Sequence, residues 1–294
     1  MMARRGAKDA PDNSTEDTEL GEVKAKLRAA RRKLRTTRES HARLRSYYDR
    51  AQQELEVLRA YTLDLHPEIE IPDRVADVMH AVREEKLTYL TELYLRSLVT
   101  CVLETERSGR KGLVIEAGTA LGGSAVAMAA AKDPSRPMRV YDVFGMIPPP
   151  SDRDGSDVVQ RYSKITEGRS TGLGGETYYG YREDLLGEVT ASFARHGVPV
   201  ESNNVTLVKG LFQDTLEVDE PVALAHVDGD WYESTMTCLE RISPHLVEGG
   251  RIVIDDYFMW SGCREAVDEY FADRPGYRVE HRAKVHIVRV PDDA

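Results

Sequence analysis

The chain has 294 residues, 41% of them hydrophobic, and a net charge of −10, enough to bury a large core and carry an appendage. Residues 1–60 hold 15 Lys/Arg against 10 Asp/Glu, a balance of +5 that leaves −15 for residues 61–294, and so acidic a body excludes nucleic acid as the main substrate. No run approaches the roughly 20 apolar residues of a membrane helix, the N-terminus lacks a hydrophobic signal core, and the scattered Cys101, Cys238 and Cys263 make neither a disulfide frame nor a zinc motif. The expectation is a cytoplasmic protein with no membrane or nucleic-acid partner.

In chain order, residues 1–18 are polar and are expected to be a disordered tail. Residues 19–66 carry a heptad pattern, with Leu20, Leu27, Leu34, His41, Tyr48 and Leu55 at a, and Val23, Ala30, Thr37, Leu44, Ala51 and Leu58 at d. Ten of these twelve are apolar or aromatic, and a pattern sustained over six heptads predicts a coiled-coil arm. A single helix cannot bury such a seam and no other segment shows a matching face, so a homo-oligomer through the arm is expected. Pro67 and Pro72 break the helix, and residues 67–111 form a mostly helical segment with Leu87, Leu90, Leu93, Tyr94 and Leu98 at helical spacings.

From residue 112 to 294 the pattern alternates. Apolar strand candidates at 113–116, 138–142, 205–209, 223–228 and 251–255 are separated mostly by helical patterns. That alternation predicts an α/β, Rossmann-like doubly wound parallel sheet. Residues 277–290 read as two short strands joined by a turn, which adds an antiparallel pair. The stretch 145–187 interrupts the pattern with Pro148 to Pro150, several glycines and Tyr162, Tyr178, Tyr179 and Tyr181. A long irregular insertion of this kind predicts a lid or binding loop.

Two acidic clusters carry the chemistry. Asp228-Gly229-Asp230 and Asp255-Asp256 each close an apolar run, at the strand ends where open α/β sheets bind ligands. Asp228, Asp255 and Asp256 would repel one another unless a hard cation sits among them, and Mg²⁺ suits such a set; the alternative is that they only cap strands and helices. The first strand ends in Glu116-Ala117-Gly118-Thr119-Ala120-Leu121-Gly122-Gly123-Ser124 before a small-residue helix, and the next ends in Asp142. A glycine turn with a strand-two acid is a nucleoside-site signal, its alternative a tight turn and a strand-end cap. His226, two residues before Asp228, is either a base or a packed core histidine.

Glu116-x-Gly118-x-x-x-Gly122-Gly123-Ser124 followed by Tyr141-Asp142-x-Phe144-x-Met146 resembles class I S-adenosylmethionine-dependent methyltransferases. Gly210-x-Phe212-x-Asp214-Thr215-Leu216, His226-x-Asp228-Gly229-Asp230-x-Tyr232-Glu233-Ser234-Thr235, Ile254-Asp255-Asp256-Tyr257 and Trp260-x-Gly262-Cys263-Arg264-x-Ala266-Val267-Asp268-Glu269 resemble the macrocin and mycinamicin sugar O-methyltransferases. The resemblance covers residues 85–290 and leaves out the heptad arm. It implies S-adenosylmethionine at Glu116, Gly118, Gly122, Ser124, Asp142, Phe144 and Gly210, and Mg²⁺ on Asp228, Asp255 and Asp256. It also implies catalysis by Asp228, with His226 the alternative base. The implied reaction is methylation of a sugar hydroxyl on a glycosylated natural product, as in antibiotic biosynthesis, with a small-molecule glycoside as the partner. This chain departs from the family where Thr119-Ala120-Leu121 replaces bulky and basic residues, and at Phe144-Gly145-Met146 after strand two. Three other readings compete: a catechol-type O-methyltransferase, a nucleoside-dependent dehydrogenase lacking its glycine fingerprint, and a coiled-coil assembly protein with an inactive methyltransferase-like body.

Overall fold

The computed structural model describes residues 13–64 and 69–291. Most of the expected tail, and the break at Pro67, lie outside the described residues, whereas residues 13–18 already belong to helix α1 (Asn13–Asp64). The chain divides into two compact units, Met1–Leu58 and Arg59–Ala294.

In the first unit α1 runs through the whole heptad pattern. Val23, Leu27, Leu34, Leu44, Tyr48 and Leu58 remain 49–68% exposed, so the seam gains no burial from its own helix.

In the second unit, α2 (Asp73–Glu84) and α3 (Glu92–Arg107) precede β1 (Leu113–Ala117), α4 (Gly123–Ala131) and β2 (Met138–Asp142). Next come α5 (Ser156–Thr166), α6 (Leu185–Arg195), β3 (Val205–Lys209), α7 (Phe212–Thr215), β4 (Val222–Val227) and α8 (Tyr232–Ile242). The chain ends with β5 (Leu246–Ile254), α9 (Ser261–Phe271), β6 (Tyr277–His281) and β7 (Val285–Arg289). The seven strands lie in the order β3-β2-β1-β4-β5-β7-β6, the first five parallel and β7 antiparallel to both its neighbours.

All of β1 and β4 is buried, which is why these segments read as continuous apolar runs rather than alternating ones. One face of the sheet packs on α2, α3 and α4 through Val82, Leu95, Val99, Val126 and Met128. The other packs on α8 and α9 through Leu239, Ile242, Cys263 and Val267. Thr91 starts α3 by accepting a hydrogen bond from the Tyr94 amide at 3.4 Å, as an N-cap threonine does.

The insertion 145–187 is ordered around α5 and two short 3₁₀ turns. Its Ile147, Val158, Ile165 and Tyr178 form a small core with Trp231, flanked by Trp260. Polar straps reinforce it. The Trp231 indole donates to Pro148 O at 3.0 Å, the Tyr232 amide to Asp154 at 2.8 Å, and Ser261 to Asp157 at 2.6 Å from its hydroxyl. The insertion is thereby fastened to the segments that follow β4 and β5.

The exposed arm generates a prediction. If the heptad face pairs with a second copy, Leu34→Glu with Leu44→Glu is expected to lower the number of subunits per particle measured by light scattering, because each puts a charge into that face. In a parallel pair Lys26 would face Arg31 of the second copy and Lys33 would face Arg38, so added salt is expected to strengthen association. An unchanged particle mass in the double variant would remove this role for the arm.

Candidate active site

Parallel register builds the site. Val227 of β4 pairs with Ile254 of β5, so the residues that follow, Asp228 and Asp255, emerge side by side at the carboxyl edge. Oxygens of Asp228, Asp255 and Asp256 lie within 4.8 Å of one another. Two ligands of one Mg²⁺ stand at most about 4.2 Å apart, since each metal–oxygen bond is about 2.1 Å, so small side-chain rotations would close the set. Three carboxylates and no nitrogen or sulfur donor make a hard-cation set.

The electrostatics agree with an undercompensated cluster. Burial, together with the charges of Asp256, Asp255 and Asp230, pushes the Asp228 carboxyl well above the usual range. Asp256 is also raised, by burial and then by Asp255. Asp255 goes the other way. Burial opposes its charge, but the Lys284 ammonium and the His226 ring outweigh it and hold it low. Lys284 Nζ stands 3.0 Å from Asp255 Oδ2 and donates to the Asp255 carbonyl at 2.9 Å.

His226 has a different place from the one a base requires. It is 1% exposed, with Nε2 3.4 Å from Asp255 Oδ1 and Nδ1 3.5 Å from Glu116 Oε2. Burial alone would lower its pKa, but Glu116 and Asp255 outweigh that and lift it to about 9. An imidazolium between two carboxylates has no lone pair with which to take a proton. Its placement is that of a packed core histidine beside Asp255, away from the cavity wall. Glu116 and Ser124, expected at the cofactor, belong to the same buried chain: the Ser124 hydroxyl donates to Glu116 Oε1, and Glu116 is completely buried. Alternation along β1 sends the Glu116 side chain into the protein.

A single cavity joins the remaining parts. Gly118, Ala120, Asp142 and Val143 line one side, Leu211, Phe212 and Gln213 another, and Asp228, Gly229, Asp230 and Ser234 the end beside the triad. Ile147, Pro148 and Tyr179 of the insertion complete the wall. Gly118 has φ +89, and a Cβ there would lie 2.0 Å from Asp228 O, so only glycine lets β1 turn against the loop after β4. Asp142 is 6% exposed; its Oδ2 accepts from the Thr119 and Ala120 amides at 2.8 and 3.1 Å, and its Oδ1 from the Phe144 amide at 2.6 Å. It thus holds the glycine turn and its own loop as well as facing the cavity. Gly122 caps α4, Phe144 is buried at φ +45, and Gly210 donates to Asp142 O at 3.0 Å; these three shape the loops behind the wall.

The family model for macrocin-O-methyltransferase (TylF) matches residues 84–278, more than half of the chain. This chain belongs to that family. A Streptomyces olivaceus enzyme, 8-demethyl-8-(2,3-dimethoxy-alpha-L-rhamnosyl)-tetracenomycin-C 4'-O-methyltransferase, is 33% identical over 183 residues, 60% of this chain and 64% of that one. The chain therefore spans just under two thirds of that relative's length. Mycinamicin III 3''-O-methyltransferase of Micromonospora griseorubida is 33% identical over 193 residues, covering 62% and 68%. Among solved structures, the O-methyltransferase NovP superposes with a TM-score of 0.54 at 25% identity over 67% of this chain and 79% of that one.

Within this macrocin-O-methyltransferase family member, several site residues escaped the sequence reading. Asp230 lines the cavity, is held at φ +57, and its Oδ1 accepts from the Trp260 indole at 2.8 Å; the repeated acid in Asp228-Gly229-Asp230 was the available signal. Gln213 stands in a stretch without periodic pattern, whereas Tyr179 lies in the insertion expected to be a lid or binding loop. Lys284 had no local signal, because only the antiparallel docking of β7 on β5 brings it to Asp255.

The repulsion within the cluster sets a direction for stability. A carboxyl raised in the folded state binds more protons there than in the unfolded chain, so stability falls as pH rises from the unfolded carboxyl pKa toward the raised value. Asp228→Asn removes that loss. Without divalent cations at about pH 7 it is expected to melt a few degrees above the parent, with the gap narrowing toward about pH 4. Equal melting curves by calorimetry would contradict the repulsion.

Proposed function

We propose that this protein transfers the methyl group of S-adenosylmethionine to a sugar hydroxyl of a glycosylated natural product, with Mg²⁺ held by Asp228, Asp255 and Asp256. The observation that carries the reading is the cavity lined both by Asp142 and the glycine turn and by Asp228, whose carboxylate lies within 4.8 Å of those of Asp255 and Asp256. One end suits a nucleoside and the other a hard cation with hydroxyl ligands. Family membership supports methyl transfer, and the glycoside acceptors of the two named relatives support a glycoside here.

A sugar hydroxyl is a weak nucleophile at neutral pH, while the methyl sulfonium is already electrophilic, so catalysis needs alignment and a route for the proton. Bound Mg²⁺ supplies Lewis acidity that lowers the hydroxyl pKa. Asp228, Asp255 and Asp256 would hold it. Lys284 and His226 keep Asp255 ionised and fixed in direction. The hydroxyl oxygen bonds to the methyl carbon as the carbon–sulfur bond breaks, leaving the neutral thioether. The proton goes to a carboxylate in the cavity: Asp228 in the sequence reading, with Asp230, steadied by Trp260, the second acceptor at the same wall. His226 does not line that wall.

Three measurements test the reading. A screen of diol-bearing glycosides and simple catechols with labelled S-adenosylmethionine, with and without Mg²⁺, is expected to give transfer to glycosides only and only with the metal. Transfer to catechols alone would favour the competing enzyme reading, and no cofactor binding at all would favour an inactive body. Asp255→Asn or Asp256→Asn is expected to cripple Mg²⁺-dependent turnover, since each removes one charged ligand with little change of shape; full activity in EDTA would remove the metal. Asp142→Ala is expected to weaken S-adenosylmethionine binding by roughly 1.5–3 kcal/mol, the scale of a hydrogen bond to a charged group. It is also expected to lower the melting temperature, because three buried amides lose their acceptor. Unchanged affinity by titration calorimetry would move the nucleoside elsewhere.

A further inference from the structure

We propose that Phe258 and Met259, at the tip of the loop between β5 and α9, form the platform on which an apolar aglycone lies while its attached sugar enters the cavity. This rests on the glycoside O-methyltransferase reading above and assigns the residues that select the rest of the acceptor.

The tip is fixed beside the carboxylate triad by both its ends, and Met259 borders a separate hollow along α9. Asp256 belongs to the carboxylate triad, and its carbonyl accepts from the Met259 amide at 2.9 Å and the Trp260 amide at 3.0 Å. Trp260 in turn donates its indole N–H to Asp230 at 2.8 Å. The two residues between these anchors point large apolar side chains into solvent, Phe258 43% and Met259 61% exposed. The Phe258 ring is braced, edge-on against Tyr257 at 5.0 Å and tilted against His281 at 6.2 Å, so it is presented in one orientation rather than swinging freely.

Isolated exposed apolar residues are ordinary on a protein surface. Their grouping here is not. Among the described residues of the second unit, the strongly exposed large apolar side chains are Tyr89, Met146, Leu211, Phe258, Met259, Val159 and Val279, and the first five stand on loops at the carboxyl edge. Leu211 lines the cavity, Met146 precedes Ile147, which also lines it, and the Tyr89 ring meets cavity-lining Tyr179 edge-on at 6.2 Å. Apolar side chains on the same loops that carry buried carboxylates suit a ligand with two unlike parts. A free sugar has nothing to gain from these side chains, and a plain hydrocarbon has nothing to offer the carboxylates. A hydroxylated sugar already joined to a large apolar body satisfies both. The reaction that supplies this substrate is therefore glycosyl transfer onto an apolar acceptor, and methylation follows it.

The test offers each diol-bearing sugar of the screen in three forms: the methyl glycoside, the 4-methylumbelliferyl glycoside and the nucleoside diphosphate sugar. For the sugar accepted, the parent is expected to show a KM about tenfold lower for the umbelliferyl form than for the methyl form, the scale of burying part of one large apolar side chain. Phe258→Ser with Met259→Ser is expected to shrink that ratio to about twofold or less, by raising the KM of the umbelliferyl form rather than lowering kcat. Equal KM values for the two glycosides in the parent would overturn the platform. So would an unaltered ratio in the variant, or a preference for the nucleoside diphosphate sugar. Absence of transfer to every form, with S-adenosylmethionine bound, would instead remove the sugar O-methylation reading and this inference with it.

Discussion

Four carboxylates, Asp228, Asp230, Asp255 and Asp256, meet at the ends of two neighbouring parallel strands, and their mutual repulsion is the constraint around which the rest of the site is arranged. The register of β4 on β5 makes the meeting unavoidable, because the Asp255 amide donates to Val227 O at 2.9 Å and sets the two acidic turns level. Each acid is answered differently. Asp255 has two cations, Lys284 and His226. Asp256 accepts from the Asp230 amide at 3.2 Å, and Asp230 accepts from the Trp260 indole. Asp228 receives the least compensation and is raised well above its ordinary range, and it stands where the cavity ends. A fold that tolerates such a cluster loses stability that a divalent cation would return.

The compensation reaches far into the core. Ser124 at the start of α4 donates to Glu116 in β1, Glu116 faces His226 in β4, and His226 faces Asp255 after β5. This chain crosses three adjacent strands of the sheet, completely buried at Glu116 and nearly so at His226. Glu116 Oε2 and His226 Nδ1 meet at 3.5 Å without a hydrogen bond, so charge rather than hydrogen bonding couples them, while His226 Nε2 at 3.4 Å from Asp255 Oδ1 orients one carboxylate of the triad. A second polar centre, Asp142, gathers three amides from two loops and fixes the opposite end of the cavity. The distance between the two ends is thus set by sheet geometry rather than by loop conformation, which is the arrangement that precise alignment of a donor and an acceptor requires.

The insertion supplies what the sheet cannot. Open α/β sheets present their carboxyl edge to solvent, and here residues 145–187 cover it with Ile147, Pro148 and Tyr179. The insertion is secured by an aromatic core with Trp231 and by the Asp154 and Asp157 straps. Its fastenings attach to the same segments that carry the acids, so the cover is tied directly to the carboxylate cluster.

The amino-acid sequence by itself determined the sheet and the acids. Buried parallel strands must be apolar along their whole length, so the first four strands stood out within a residue or so of their ends, and β5 was located although it begins earlier, at Leu246. Acidic turns directly after β4 and β5 are local features that survive without knowledge of the fold, and the same holds for the heptads of α1. Tertiary structure alone decided which polar residues face the cavity and which face the core. Glu116, Ser124 and His226 carry functional-looking side chains, yet all three are buried, Ser124 on Glu116, Glu116 beside His226 and His226 beside Asp255. Lys284, with no motif around it, reaches the triad only because β7 returns antiparallel beside β5. Periodicity encodes burial, since burial is a property of each residue's own chemistry; long-range pairing between charges depends on where distant strands dock, which no local pattern records.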